Sequence, residues 1–139
     1  MKHIVVAVDG STGSARALEE AIKLGRSLAE SPKLTALHID QAVPMNEPPF
    51  GVDPDERIEA EGLALLKSAE ETLAASGLTY ETAVRKGDPA REICEFAGSA
   101  SGDLIVVGTR GHSLAAELLL GSVSHKVIQH APCPVMTIR

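Results

Sequence analysis

The feature that most limits the fold of this chain is the alternation of short apolar runs with longer segments of helical periodicity. Runs rich in Val and Ile, such as "HIVVAVD" at 3–9 and "DLIVVG" at 103–108, are typical of strands that are buried on both faces. Between the runs, apolar residues recur every three or four positions, as they do on the buried face of a helix. The resulting order βαβαβαβαβ predicts an α/β fold, with a parallel sheet and helices on both of its faces.

Turn and capping residues predict the boundaries of the elements. Strands are expected at 3–9, 33–39, 78–84, 103–108 and 135–139, and helices at 13–30, 54–76, 88–100 and 122–131. Asp88 and Pro89 should open the third helix, and Ser122 should cap the last one. The inward face of the last helix is expected to carry Val123, Val127, Ile128 and Ala131. No internal boundary or repeat is visible, so residues 1–139 are expected to form a single domain.

Composition argues against several classes of partner. The chain has 13 basic and 19 acidic residues, a net charge of −6, which disfavours nucleic acid and anionic membranes. Its only aromatic residues are Phe50, Tyr80 and Phe96, too few to build a platform for base stacking. No apolar run approaches the roughly 20 residues that span a bilayer, so no membrane insertion is expected.

Cysteine usage indicates the compartment. Cys94 and Cys133 lie far apart and form no CxxC pair, which fits a reducing environment better than a disulfide framework. The sequence begins directly on a strand-like run without a signal-peptide pattern, so a cytoplasmic location is expected. His3, His125 and His130 show no metal-ligand spacing, and no metal site is predicted. Cys94 is expected to pack as a small hydrophobe, and His38 as a packed or capped core histidine.

The glycines of "GTRGHSLAAELLLGS", residues 108–122, are the strongest indication of a ligand. Glycine is required where the backbone adopts positive φ or where another group approaches closely. Gly108 and Gly111 would let the loop turn and expose N–H groups as an anion nest, and Gly121 and Ser122 would open a helix whose N-terminus attracts phosphate. Parallel sheets bind ligands beyond the carboxyl ends of their strands. The alternative interpretation is a turn glycine followed by an ordinary helix cap.

Two common nucleotide motifs are absent, and no catalytic group can be assigned. "GSVSHK" has neither the spacing nor the lysine of a Walker P-loop, and "DGSTGSA" is not the GxGxxG dinucleotide fingerprint. No nucleophile–base pair or carboxylate dyad is identifiable from spacing, so no catalytic residue is predicted.

Several separated segments together resemble the universal stress protein family over nearly the whole chain. They are "IVVAVDGSTGSARAL", "LHI", "GDPAREICEFA", "DLIVVGTRGHS" and "LLGSVSHKVIQHAPCPVMTIR". The pattern G-x2-G-x9-G-[ST] of the family's nucleotide-binding branch is complete here, in Gly108, Gly111, Gly121 and Ser122. The resemblance implies a five-stranded parallel sheet in the order 3-2-1-4-5, the adenine nucleotide alpha hydrolase-like fold. It also implies ATP or AMP as ligand, with or without Mg²⁺, and a homodimer formed through the last strand.

The resemblance further implies a site, residue by residue. Ala7 and Asp9 would face the nucleoside, and the backbone of Ile39 would contact adenine. The residues that would surround the ribose and phosphates are Gly108, Thr109, Arg110, Gly111, His112, Ser113, Gly121, Ser122, Val123 and Ser124. Alternatives stay open for two of them: Asp9 could instead cap the "STGS" turn, and Arg110 could be an ordinary surface arginine. His112 is interpreted as a solvated loop residue rather than a catalytic base.

These features favour a nucleotide-binding module that regulates a stress response or a protein partner. One alternative is a slow Mg²⁺-dependent ATPase that uses Asp9. Another is an interaction module with an empty pocket, for example one that regulates a membrane transporter, which the intact glycine pattern disfavours. The segment 41–53 contains three prolines and is interpreted as either a plain connector or a flap over the nucleotide.

Overall fold

The computed structural model describes residues 1–41, 54–109 and 121–139. Its elements in chain order are β1 (His3–Ala7), α1 (Thr12–Ser27), β2 (Lys33–Asp40), α2 (Pro54–Ala74), β3 (Tyr80–Lys86), α3 (Pro89–Ser99), β4 (Leu104–Gly108), α4 (Ser122–His130) and β5 (Val135–Ile138). All the strand pairings are parallel, and the order across the sheet is β3-β2-β1-β4-β5. The α/β fold and the strand order 3-2-1-4-5 are therefore confirmed.

Alternate residues of the central strands pack against helices on opposite faces of the sheet, because successive strand side chains point to opposite sides. On one face, Ile4 and Val6 belong to a core cluster with residues of α1 and α2. On the other face, Val5 belongs to a second cluster with residues of α3 and α4. This arrangement leaves the strand ends as the places where side chains can meet a ligand. None of the described helices combines the length and the apolar character that crossing a bilayer would need.

Three predicted boundaries are displaced by local turns. β1 ends at Ala7 instead of residue 9, because Gly10 adopts φ +81 and Ser11 already caps α1 by accepting from the amide of Ser14. α1 ends at Ser27 instead of residue 30, since Leu28 returns to extended backbone. β3 begins at Tyr80 instead of residue 78, after a turn in which the Leu78 amide donates to the Ser76 hydroxyl.

Two predictions about α4 are wrong. The cap residue is Gly121, not Ser122, because the Gly121 carbonyl already accepts the first helical hydrogen bond from His125 at 3.0 Å. Ile128 is 45% exposed, whereas Val127 is fully buried. Adjacent helical residues differ by about 100° around the axis, so only one of these two side chains can point fully inward.

The two cysteines are free and half-buried, and both pack against the cluster on the α3–α4 face. Burial raises the pKa of each thiol above its usual range. A thiol held in its protonated form is a weak nucleophile. The prediction that Cys94 packs as a small hydrophobe agrees with this placement.

Candidate functional site

A cavity of about 420 Å³ opens where β1, β2 and β4 end, between the starts of α1, α3 and α4 and one side of α2. Small-molecule pockets have volumes of roughly 300–1,000 Å³. The predicted site residues that line this cavity are Ala7, Asp9, Ile39, Gly108, Gly121, Ser122, Val123 and Ser124. The parallel sheet thus brings residues as far apart in the sequence as Ala7 and Ser124 to one place.

The cavity wall also contains residues to which the sequence interpretation assigned no individual contact with a ligand. They are Val8, Ser11, Ser14, Leu37, His38, Asp40, Gln41, Ile58, Glu61, Gly62, Leu65, Pro89, Ile93 and Val107. One sequence signal could have found part of this set: His38 and Asp40 are two positions apart at the end of a strand. A second signal is Gly62 in the middle of a helical pattern. Glycine destabilises a helix interior, so its presence there indicates that another group approaches the backbone closely.

Gly108 is required by packing, and its φ is not positive. A Cβ built on Gly108 would lie 2.6 Å from the carbonyl carbon of Gly13 and 2.7 Å from its oxygen. Among the described glycines, positive φ occurs only at Gly10, Gly77 and Gly87. The expectation that Gly108 lets the loop turn through an unusual conformation is therefore corrected: it lets the end of β4 touch the first turn of α1.

Gly121 begins α4 without a side-chain cap, which distinguishes it from the starts of α1 and α3. Ser11 caps α1 and Asp88 caps α3, each by accepting from an amide in the first turn. At α4 no side chain of the described residues fills that role. The first-turn amides of α4 therefore face the cavity with their partial positive charge uncompensated by a capping oxygen, which suits an anion.

Thr109 does not line the cavity, but its backbone connects β5 to the start of α4. Its amide donates to the carbonyl oxygen of Ile138 at 2.8 Å, and its own carbonyl accepts from the amide of Gly121 at 2.9 Å. The Thr109 hydroxyl also donates to Ile138, at 3.3 Å. These bonds connect β4, β5 and α4, and the contact of Thr109 with a ligand stays a prediction.

Asp9 both caps a turn and lines the cavity. Its carboxylate accepts from the amide of Ser11 at 2.9 Å and from the Ser11 hydroxyl, while its amide donates to the Ser14 hydroxyl at 3.2 Å. The two interpretations of Asp9 are therefore compatible. The bonds fix the carboxylate at the mouth of the cavity, where a ribose or a hydrated cation could reach it.

The two serines of α4 differ in availability. Ser124 is buried, and its hydroxyl donates to the Gly121 carbonyl at 3.0 Å. Ser122 is exposed at the first helical position. Ser122 can therefore donate its hydroxyl directly to a ligand. Ser124 would first have to break the hydrogen bond from its hydroxyl to the Gly121 carbonyl.

Four predicted site residues and most of one predicted segment lie outside the described residues. They are Arg110, Gly111, His112 and Ser113, and the part of the proposed flap or connector that spans 42–53.

The charge of the described wall is negative. Asp9, Asp40 and Glu61 contribute carboxylates, and no Lys or Arg is found among the described lining residues. Within the same described part of the chain, no group of three or more His, Cys, Asp or Glu is placed to hold a metal ion. Within the described wall, the groups that suit an anionic ligand are therefore the backbone amides at the start of α4 and the hydroxyl of Ser122.

Comparison with known proteins decides the family. The family model described as "Universal stress protein family" matches residues 1–139. This chain belongs to the universal stress protein family. A curated universal stress protein of Bacillus subtilis is 38% identical to it over 146 residues, covering 98% of this chain and 97% of that protein. The family resemblance that the sequence motifs indicated is therefore confirmed.

Solved universal stress proteins share the fold. An Arabidopsis thaliana family member with AMP bound has a TM-score of 0.76 at 30% identity, covering 99% of this chain and 91% of that one. An Archaeoglobus fulgidus universal stress protein in complex with dAMP has a TM-score of 0.73 at 26% identity, covering 100% and 98%. A universal stress protein in complex with cAMP has a TM-score of 0.73 at 28% identity, covering 99% and 96%.

Proposed function

We propose that this universal stress protein binds an adenine nucleotide in the cavity at the ends of β1, β2 and β4. The observation that carries the proposal is the uncapped start of α4 at Gly121, which opens into a cavity of about 420 Å³. The three related structures that hold AMP, dAMP and cAMP support the same ligand class. Adenine nucleotides combine a flat apolar base with a phosphate, which matches a cavity that offers apolar side chains such as Leu37, Ile39 and Ile58 from β2 and α2, and an uncapped helix start at α4.

Each end of the nucleotide would meet a different part of the wall. The amides of Ser122 and Val123 and the hydroxyl of Ser122 would hold phosphate oxygens. The carboxylate of Asp9 would accept hydrogen bonds from ribose hydroxyls. The backbone of Ile39, which is 8% exposed at the end of β2, would read the edge of the base.

The choice between AMP and ATP depends on charge. Because the described wall carries carboxylates and no Lys or Arg, a compensating cation would favour additional phosphates. Mg²⁺, when bound, would supply that charge through the phosphates, with Asp9 as a nearby oxygen ligand.

The proposed role of nucleotide binding is regulatory: occupancy by a nucleotide changes the surface that a partner protein meets. The described residues supply no base poised beside a nucleophile, so a slow ATPase remains the second candidate, favoured only by Asp9.

We further infer that two copies pair through β5. Strand β5 lies at the edge of the sheet, with β4 as its only described sheet neighbour, and its four residues are all partly buried. An apolar edge strand that stays uncovered favours pairing with another chain. An antiparallel pairing of β5 with β5 would produce a two-fold dimer.

Two measurements test the nucleotide proposal. Heat-denatured purified protein is chromatographed for released AMP, ADP or ATP, and nucleotide-free protein is titrated calorimetrically with AMP, ATP, ATP with Mg²⁺, adenosine and GMP. We expect adenine nucleotides to bind more tightly than adenosine and GMP, because only they satisfy both ends of the cavity. Equal, undetectable heats for all five ligands, together with no released nucleotide, would contradict the proposal.

A further inference from the structure

The first residue after β1 is held to β2 in two different ways. Val8 is buried, and its amide donates to the carbonyl oxygen of Leu37 at 2.9 Å. Its own carbonyl oxygen lies 2.8 Å from Nδ1 of His38. A carbonyl oxygen can only accept, so Nδ1 carries a hydrogen and donates it. The backbone of β2 therefore holds one side of Val8, and a side chain of β2 holds the other.

The bond from His38 stands where the sheet would otherwise continue. In a parallel ladder, alternate residues of a strand bond to the same neighbour, so the next rung would join the Ile39 amide to the Val8 carbonyl. The described backbone hydrogen bonds include no such rung. The Asp40 carbonyl accepts from Gly87 at 3.0 Å on the β3 side, so Ile39, which alternates with Asp40, directs its amide to the β1 side. Because β1 has ended there, this amide points toward the cavity that Ile39 lines.

Packing keeps the His38 ring in this position. Its side chain is 12% exposed, and α2 covers one edge of the ring at Gly62, where a Cβ would lie 3.0 Å from Cδ2 and 3.2 Å from Nε2. Oδ1 of Asp40 is 3.1 Å from Nε2, but it accepts no aligned hydrogen bond within the described part of the chain. Among the described residues, the aligned hydrogen bond of the ring is therefore the one to Val8.

The same bond restrains Asp9. The Val8 carbonyl belongs to the peptide group that begins Asp9, and the carboxylate of Asp9 accepts from the amide of Ser11 at 2.9 Å. The proposed ribose contact of Asp9 and the proposed base contact of Ile39 thus lie on either side of one carbonyl group. The nucleotide contacts proposed above give His38 no role, although it lines the cavity.

We propose that His38 is a positioning residue of the nucleotide site: by holding the Val8 carbonyl, it keeps the Ile39 amide free for the base and fixes Asp9 for the ribose. The effect on affinity rests on the proposed nucleotide site, whereas the state of the Ile39 amide concerns the protein alone. Without the imidazole donor, the Val8 carbonyl would be an acceptor without a partner, which is unfavourable. The Ile39 amide would then pair with it, extend the ladder by one rung and be lost to the base.

Two substitutions separate the donor of the ring from its bulk. His38→Asn places an amide nitrogen one bond from Cγ, as Nδ1 is, so it keeps the donor and loses most of the ring. His38→Leu fills a similar space but has no donor. A role in packing alone predicts that leucine is the better replacement, whereas a role in positioning predicts that asparagine is.

Hydrogen exchange followed by NMR tests the free amide without any nucleotide. In His38→Leu the Ile39 amide should exchange at least about tenfold more slowly, because it now bonds to Val8. In His38→Asn it should exchange as in the wild type. The Asp103 amide, which donates to the His3 carbonyl, is the internal control for overall stability. Equal exchange of the Ile39 amide in the wild type and both variants would overturn the proposal.

Calorimetry with AMP and 2′,3′-dideoxy-AMP tests the effect on binding. AMP affinity should fall at least about tenfold in His38→Leu and less than about threefold in His38→Asn, the range for hydrogen bonds lost and kept. The preference for AMP over its dideoxy analogue should also fall in His38→Leu and persist in His38→Asn, because Asp9 stays in place only with the donor. Thr35→Val, elsewhere on β2, is the control for a loss of stability and should keep the AMP affinity of the wild type.

The outcomes distinguish this proposal from the nucleotide site itself. If leucine preserves AMP affinity better than asparagine, His38 acts by packing and the proposal is wrong. If His38→Leu does not fold, His38→Ala also lacks the donor and takes its place with the same expectations. If the wild type binds neither nucleotide, the nucleotide site is wrong, and the exchange of the Ile39 amide still decides whether His38 keeps that amide free.

Discussion

The amide of Gly121 donates to the carbonyl oxygen of Thr109 at 2.9 Å, so the residues on either side of 110–120 are bonded directly to each other. The amide of Thr109 in turn donates to Ile138 at 2.8 Å, at the end of β5. The proposed phosphate site and the proposed dimer strand therefore share one residue, Thr109. A substitution at Gly121 should therefore weaken nucleotide binding first, and should then affect the pairing of β4 with β5.

Replacement of Gly121 by valine should remove nucleotide binding. A Cβ at this position would lie 3.0 Å from the carbonyl oxygen of Thr109, and a branched side chain would also occupy the approach to the α4 amides. We expect AMP affinity to fall at least about tenfold, or about 1.4 kcal/mol, and stability to fall by about 1–3 kcal/mol from overpacking. Calorimetry and urea denaturation measure the two effects. Gln129→Ala, on an exposed position of the same helix, is the control, and unchanged AMP affinity in folded Gly121→Val would refute the phosphate assignment.

Replacement of Gly108 by alanine should destabilise the protein. The new Cβ would lie 2.6 Å from backbone atoms of Gly13, which cannot rotate away as a side chain could. We expect a loss of about 1–3 kcal/mol in the free energy of unfolding, together with weaker AMP binding because the start of α1 must move. The matched control is Gly98→Ala, where the nearest atom is Pro132 Cγ at an ordinary 3.7 Å. If both variants unfold at the same urea concentration as the wild type, the close contact is wrong.

The dimer prediction is tested best at Thr137. The carbonyls of Pro134 and Ile138 both bond to β4, so Met136, which alternates with them, also directs its backbone groups to β4. Thr137 directs its amide to the open edge. We therefore expect Thr137→Pro to give a monomer with β4–β5 pairing intact, whereas Met136→Pro should destabilise the fold. Light scattering and thermal unfolding report the two effects, and a monomeric wild type at micromolar concentration would contradict the proposed interface.

Acid stability should depend on Asp103. Its carboxylate accepts from the amides of Lys2 at 2.7 Å and His3 at 2.9 Å, and these bonds hold its pKa below the ordinary value of 3.8. A lowered folded-state pKa contributes stability that is present above the unfolded value and is lost as pH falls through the folded value. Wild type should therefore exceed Asp103→Asn in melting temperature at neutral pH, and the difference should shrink below about pH 4. A difference that stays constant down to about pH 2 would show that ionisation is not its source.

A further stability test concerns a polar chain across the sheet. Nε2 of the buried His3 lies 2.7 Å from the Thr35 hydroxyl, which donates to Glu81 at 3.0 Å, while Nδ1 lies 3.1 Å from the Ala100 carbonyl. Thr35→Val keeps the shape but leaves a ring nitrogen without its partner. We expect a loss of about 1–3 kcal/mol in urea denaturation. Thr72→Val, at an exposed helical position, is the control. Equal stability of the two variants would show that the hydrogen bonds of His3, Thr35 and Glu81 contribute little to the free energy of unfolding.

The local pattern of the sequence determined the element order and the fold class. Buried strands need continuous apolar runs and helices need a repeat near 3.6, so β1, β4 and α3 were predictable from short windows. Asp88 and Pro89 identified the start of α3 for the same reason, since a cap acts within one helical turn. The strand order and the family came from motifs spread along the chain, and the glycine pattern correctly indicated the strand ends at which the cavity lies.

Contacts between distant segments decided the rest. The need for glycine at position 108 comes from its contact with Gly13, and the need for glycine at position 62 comes from its contact with Asp40. No short window of sequence contains both members of either pair. Whether Val127 or Ile128 is buried depends on how α4 is rotated against the sheet, and the direction of the Met136 amide depends on the register of β5. Sequence periodicity encodes which face of an element is apolar, because that is a property of one element alone. Which atoms meet across two elements is set by their docking, and it is this docking that brings His38, Asp40 and Gly62 into one wall.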